Sequence, residues 1–288
     1  VCNGNRMNNT DTNEFDFRTD ELTRRLYAND ASMYEELPYA VAFPQSTRQI
    51  QQIVIDAVEK DKSITARSGG TSLAGQATGN GIIMDVSRHM TQIHNINAEE
   101  HYSEVDPGVI RDTLNRESAV FDLQFGPDTS TTNRCMLGGM IGNNSCGSFS
   151  IKHKTTREHV LEMEVVLSDG STAVFKPLTN DELEQKKQLE TLEGHIYRSV
   201  CQLLERNREL IEKSYPHPEI IRRNTGYALD RLLEMAPFTP GGRTFNMCEL
   251  LCGSEGTLAL TGRSKVNLVP VDPAELMVVA QFDTLQES

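Results

Sequence analysis

The sequence predicts an α+β fold of two subdomains, and three observations carry that reading. A strand–helix–strand pattern runs from Tyr39 to Arg67 and ends in a Gly-rich loop. A second Gly/Asn-rich region spans Gly126 to Gly147. A hairpin signal then puts antiparallel sheet in the second half. With 288 residues, 38% of them hydrophobic, the chain can bury the core of one large domain or two smaller ones.

Each element has a local reason. The first dozen residues are rich in Asn and Thr and read as loose, and Asp20 to Met33 reads as helix and turn. Tyr39 to Phe43 is a short strand stopped by Pro44. Ser46 followed by Gln49 is a capping box, after which Ile50, Ile53, Val54, Ala57 and Val58 form one apolar helix face. Ser63 to Arg67 is the next strand. Asn80-Gly81 marks a tight turn before a strand at Ile82 to Val86. Tyr102 to Val105 is a strand closed by Pro107-Gly108, and Val109 to Asn115 suits a short helix. Val160 to Leu167 alternates through Val160, Glu162, Glu164 and Val166, turns at Ser168-Asp169-Gly170, and returns as Thr172 to Phe175. A charged helical zone runs from Asp181 to Lys213 with Leu203, Leu204, Leu210 and Ile211 as its apolar positions. Leu258 to Val269 is a long strand, and a new strand is expected at Leu276 to Phe282.

Composition excludes several classes. The net charge of −13 repels a phosphate backbone, so no nucleic-acid partner is expected. No apolar run approaches the ~20 residues of a membrane span. The chain opens at Val1 without an apolar leader, and a trimmed or partial chain is expected. Its six cysteines (Cys2, Cys135, Cys146, Cys201, Cys248 and Cys252) form no C-x-x-C pair and no disulfide framework, which reads as reduced thiols in a cytoplasmic setting. No metal site is expected, since His89 and His94 do not share a face and His153, His159, His195 and His217 are scattered.

Three constellations could carry chemistry. The first is Arg67, Ser68, Gly69, Gly70, Thr71, Ser72 and Leu73, between two strands. Glycines that allow close approach and small hydroxyl residues can aim several N–H groups at one anion. Arg67 either pairs that anion or ends a strand. The spacing matches neither a P-loop, which needs Gly-Lys-Ser/Thr, nor a dinucleotide fingerprint that opens a helix. The second constellation holds Pro127, Asp128, Thr129 and Ser130, then Gly138, Gly139, Met140, Gly142, Asn143 and Asn144. Its asparagines can donate and accept, which suits a ring bearing imide N–H and carbonyl groups. The third is Cys252-Gly253-Ser254-Glu255-Gly256-Thr257, before the long strand.

In this order and spacing, the three constellations resemble the PCMH-type FAD-binding domain of the vanillyl-alcohol oxidase/p-cresol methylhydroxylase superfamily, over roughly Tyr39 to Pro270. Within it they are most similar to the glycolate oxidase subunit and D-lactate dehydrogenase branch. The resemblance implies two α+β subdomains, about 38–98 and 99–270, with FAD between them. It makes residues 1–37 a partly helical extension and 271–288 the start of a cap domain. It implies that Arg67 to Leu73 wraps the FAD pyrophosphate. Pro127 to Ser130 and Gly138 to Gly142 would follow the diphosphate, ribityl chain and flavin, with Thr156 beside the cofactor. Glu255, Gly256 and Leu260 would wall the adenosine side. The implied activity is oxidation of a small-molecule D-2-hydroxy acid (lactate, glycolate or 2-hydroxyglutarate), with hydride passing to flavin N5. The implied partners are the cap and an iron–sulfur domain of the same parent chain, in the cytoplasm or on the inner membrane face. No catalytic base is identified, and the chain alone is expected to be inactive. An electron-transfer module without a substrate site, or a domain that has lost the cofactor, are the alternatives.

The chain departs from the family pattern at two places. His153-Lys154-Thr155 stands where Tyr-Gly-Lys is usual, and Thr261-Gly262-Arg263 where Thr-Glu-Ala is usual. Thr71 occupies the position that is His in members with covalently attached flavin, which implies non-covalent FAD. Acid precipitation of the flavin-loaded chain should therefore leave the yellow colour in the supernatant; a yellow pellet, read by visible absorption, would contradict this.

Overall fold

The computed structural model describes residues 15–217, 219–220, 222–223, 226–272, 276 and 278–287. The first dozen residues, Cys2, Pro273 and Met277 lie outside them.

The first half builds a four-stranded sheet from β1 (Asp16–Arg18), β2 (Ala40–Phe43), β3 (Ile64–Arg67) and β4 (Ile82–Asp85). Between them run α1 (Glu21–Leu26), capped by Asp20, and α2 (Thr47–Glu59). The strand order is β1-β2-β4-β3, with β4 parallel to both neighbours and β1 antiparallel to β2. Every residue of β2 and β4 is buried, as in strands covered on both faces. Parallel pairs need crossovers: α2 supplies one, and the 68–81 loop connects β3 to β4. The Ser46 hydroxyl accepts the Gln49 N–H at 3.4 Å, and the Gln49 side-chain oxygen accepts the Gln45 N–H at 2.8 Å. Ile50, Ile53, Val54 and Ala57 are buried as their spacing predicts, whereas Val58 falls at the margin of the stripe and is exposed.

The second half is organised around a five-stranded antiparallel sheet. In chain order it contains β5 (Ile93–Asn97), β6 (Tyr102–Val105), α3 (Arg111–Ser118), β7 (Leu123–Gln124), α4 (Leu137–Gly142) and α5 (Ser150–His153). There follow β8 (Val160–Val166), β9 (Thr172–Phe175), α6 (Asn180–Lys187), α7 (Leu192–Arg206) and α8 (Arg208–Ser214). The half closes with α9 (Leu229–Leu233), α10 (Cys248–Leu251), β10 (Leu260–Asn267) and β11 (Val269–Pro270). The sheet order is β5-β6-β10-β8-β9, and β11 pairs with β7.

Three expectations are corrected here. The alternation through Val160 and Val166 breaks, because β8 skips Leu161 in its pairing with β10. That bulge puts Val160 with Met163 and Val165 against the helical layer, while Val166 packs with α2. In the helical zone Leu204 and Ile211 are buried but Leu203 and Leu210 are exposed, since adjacent helix positions point in different directions. Tyr197 and Cys201 fill the remaining apolar positions. Residues 276 and 278–282 form no strand and are exposed at Leu276, Val278, Val279 and Phe282.

Helix α2 lies where the two sheets meet, packing against β8 and β10. Its Ile50, Ile53, Val54 and Ala57 share one cluster with Ala42, Ile82 and Met84 of the first sheet and Val166 and Leu260 of the second. The Gln51 carboxamide donates to the Gly170 carbonyl at 2.8 Å. A Cβ at Gly262 would stand 2.5 Å from the Thr47 hydroxyl. The helix approaches closely enough that a side chain here would have to displace Thr47.

The other departure has a backbone signature. Lys154 sits at φ 59°, ψ −139°, a region that glycine occupies far more readily than an L-residue. Lys154→Gly should stabilise the chain by about 1 kcal/mol, the relieved strain outweighing glycine's added unfolded-state freedom. Urea unfolding monitored by circular dichroism checks this; a lower midpoint would contradict it.

Candidate cofactor site

A cleft of about 460 Å³ opens between the two halves. Its walls come from the β3 end and the loop after it, the 129–145 segment, β8, and the 254–261 segment. All three Gly-rich constellations therefore reach one cavity.

The first loop leaves a row of donors without protein acceptors. Among the described residues, none of the N–H groups of Ser68 to Leu73 makes a hydrogen bond within the protein. The N–H groups of Thr129, Ser130 and Gly139 are likewise unclaimed. Gly70 holds φ 60°, which turns the chain at the middle of the first loop. The lining also carries apolar side chains, from Met84, Val86, Met163, Val165 and Leu251. Unclaimed N–H groups suit an anion and the apolar wall suits a ring system.

Close backbone contacts set the loops against each other. A Cβ on Gly69 would stand 2.6 Å from the Arg134 carbonyl oxygen, and one on Gly139 would stand 2.6 Å from the Ser68 hydroxyl. The Leu137 and Gly138 N–H groups donate to the Val109 and Pro107 carbonyls at 2.9 and 2.8 Å, which seats α4. At the end of α4, the Ile141 and Gly142 carbonyls accept the Gly253 and Glu255 N–H groups, each at 2.9 Å.

Most residues singled out from sequence line the cleft: Arg67, Ser68, Gly70, Thr71, Ser72, Leu73, Thr129, Ser130, Gly138, Gly139, Met140, Gly142, Asn143, Glu255, Gly256 and Leu260. Gly69, Pro127, Asp128, Asn144 and Thr156 do not, and each supports the walls instead. The Pro127 carbonyl accepts from Arg111 Nε at 3.0 Å. Asp128 accepts the Ser148 hydroxyl at 3.1 Å and the Phe149 N–H at 3.3 Å. Asn144 Oδ1 accepts the Arg157 N–H at 2.8 Å, and the Thr156 hydroxyl donates to the Ser145 carbonyl at 2.8 Å. Sequence reasoning missed Arg134, Gln76, Met163 and Val165 among the lining residues. Arg134 carried a signal, a cation inside the second Gly-rich region. The β8 residues carried none, because their facing depends on the bulge.

The ionisable groups on the lining are few. Burial raises the pKa of Glu255, opposed by its hydrogen bond to Gln76. Burial also raises the pKa of Cys135, whose sulfur accepts the Thr129 hydroxyl at 3.2 Å, so this thiol is a poor nucleophile. Cys252, behind the third constellation, is pushed up to about 12 by burial. Cys146 does not line the cleft.

Comparison with known proteins gives the class. A family profile described as "FAD binding domain" matches residues 38–176. Residues 38–176 match that family, which points to FAD as the cofactor. The chain is 36% identical over 276 residues to D-2-hydroxyglutarate dehydrogenase of Pantoea ananatis, covering 95% of this chain and 26% of that protein. The corresponding Escherichia coli enzyme is 35% identical over 276 residues, again 26% of its length. A Bacillus subtilis glycolate oxidase subunit is 35% identical over 150 residues, covering 51% of this chain and 32% of that protein. The chain thus spans about a quarter of the length of the D-2-hydroxyglutarate dehydrogenases it matches. Among solved structures, 6-hydroxy-D-nicotine oxidase from Arthrobacter nicotinovorans superposes with TM-score 0.58 at 17% identity, covering 89% of this chain and 42% of that one. An alkyldihydroxyacetonephosphate synthase gives 0.58 at 15% identity, covering 90% and 38%. The fold is the PCMH-type α+β fold expected from the three constellations.

The Gly69 seam is directly testable. Gly69→Ala should drive the first loop off the Arg134 carbonyl at a cost of about 1–3 kcal/mol, weakening FAD binding roughly tenfold or more. Fluorescence titration of FAD, with far-UV circular dichroism to show the fold intact, checks it.

Proposed function

We propose that this chain is the flavin-holding part of an FAD-dependent dehydrogenase that oxidises a D-2-hydroxy acid of the 2-hydroxyglutarate class, with FAD held non-covalently. One observation carries the reading: three separated constellations converge on one cleft, in a chain 36% identical to a D-2-hydroxyglutarate dehydrogenase. When bound, FAD supplies the two-electron acceptor for the hydride leaving the substrate's Cα.

The chain's own residues then have distinct tasks. The N–H groups of Ser68 to Leu73 receive the diphosphate, and Met163 and Val165 exclude water from the apolar wall. Thr71 offers no imidazole for covalent attachment. Among the described residues that line the cleft, Glu255 is the sole carboxylate, and there is no histidine. Glu255 belongs to the adenosine side in the family pattern. On this reading the base that takes the substrate's hydroxyl proton falls outside the cleft of this chain.

Anaerobic addition of D-2-hydroxyglutarate distinguishes the parts of this reading. A flavin-loaded protein of the relatives' full length should bleach at the flavin band, and this chain loaded with FAD should not. Bleaching by this chain alone would overturn the placement of the base. No bleaching of the longer protein with D-2-hydroxyglutarate, D-lactate or glycolate would overturn the reaction.

A further inference from the structure

Residues that precede the family match press on the first loop from behind. The Tyr27 hydroxyl donates to Asp85 Oδ2 at 2.5 Å, at the end of β4. The Arg67 guanidinium lies 5.2 Å from the centre of the Tyr27 ring and donates to the Asn29 carbonyl at 2.7 Å. The Ala31 N–H donates to the Gly70 carbonyl at 3.1 Å, and Asp30 Oδ2 accepts the Ala77 N–H at 3.3 Å. A Cβ on Gly75 would stand 2.9 Å from the Tyr34 ring. The start, middle and end of the 67–77 stretch are thus each held by residues 27–34.

This pattern divides the labour within the loop. The Arg67 guanidinium is already committed to a carbonyl and an aromatic face, whereas the N–H groups of Ser68 to Leu73 have no protein acceptor. We propose that residues 27–34 form a brace that presets those N–H groups for the FAD diphosphate, with Tyr27, Asp30 and Arg67 as positioning residues. Arg67 acts through the loop rather than by pairing with phosphate. Donors held in place before the ligand arrives spare the ordering cost of binding. The assignment rests on FAD as the occupant of the cleft and on nothing about the substrate.

The test is FAD titration by flavin fluorescence, at low and high salt, into the flavin-stripped chain and its Asp30→Ala, Arg67→Gln and doubly substituted forms. Far-UV circular dichroism and thermal unfolding accompany each titration. Each single substitution should weaken FAD roughly tenfold. The double should be little weaker than either single, since both act on one brace. The salt dependence should match that of the unaltered chain, because no phosphate contact is lost. Arg67→Gln flattening the salt dependence would show a direct phosphate pair and overturn the proposal. Asp30→Ala binding FAD as tightly as the unaltered chain would also overturn it. Tyr27→Phe keeps the ring and removes the bond to Asp85, so it serves if Arg67→Gln unfolds; unaltered affinity there counts against the brace. An unaltered chain that takes up no FAD overturns this assignment and the cofactor reading together, while tight-binding variants overturn this one alone.

Discussion

One buried guanidinium holds two of the three cleft-forming segments together. Arg157 is 5% exposed and donates to the Glu249, Cys252 and Gly226 carbonyls at 2.8, 2.5 and 3.0 Å. Its own N–H goes to Asn144 Oδ1. A cation out of water is tolerated only when its donors are matched, and burial lowers this group's pKa. Here three carbonyl dipoles do the matching, two from the α10 segment and one from Gly226, all far in sequence from Arg157. Once Arg157 fixes the end of α10 and the 252–255 turn beside Asn144, the Gly253 and Glu255 N–H groups fall onto the α4 carbonyls. The second and third constellations meet because this charge has to be satisfied.

Helix α2 does the corresponding work between the halves, through apolar packing. Its buried face touches both sheets at once, and small residues let it approach. Gly262 leaves room for Thr47, and Gly170 for Ile55. A cleft between two sheets needs a fixed separation on its far side, and a helix packed on both is a stiff spacer. Glycine at 262 is a packing solution of this kind.

Much of this was legible in the sequence, for identifiable reasons. Capping at Ser46 and the spacing of Ile50, Ile53 and Val54 are local signals, so α2 was readable. Glycine clusters mark loops whatever surrounds them, so the lining of the cleft was largely readable too. Asn144, Asp128 and Thr156 were less so, because a polar side chain in a Gly-rich loop looks the same whether it serves a ligand or a neighbouring backbone. The facing of β8 was hidden by the bulge at Leu161, a feature of pairing with β10. The grip of residues 27–34 on the first loop was hidden because each contact joins segments that no short motif connects.

Strand β1 has a consequence for how this domain is delimited. It covers the outer side of β2, whose residues Ala40 to Phe43 are all buried. Asp16 and Arg18, paired with each other, put charge on the rim of the sheet. An unpaired apolar strand is a template for other chains, and charged, short outer strands suppress such pairing. Cutting the protein at residue 38, where the family match begins, would strip away that guard. The outcome would be self-association through β2, a solubility defect unrelated to the chemistry of the cleft.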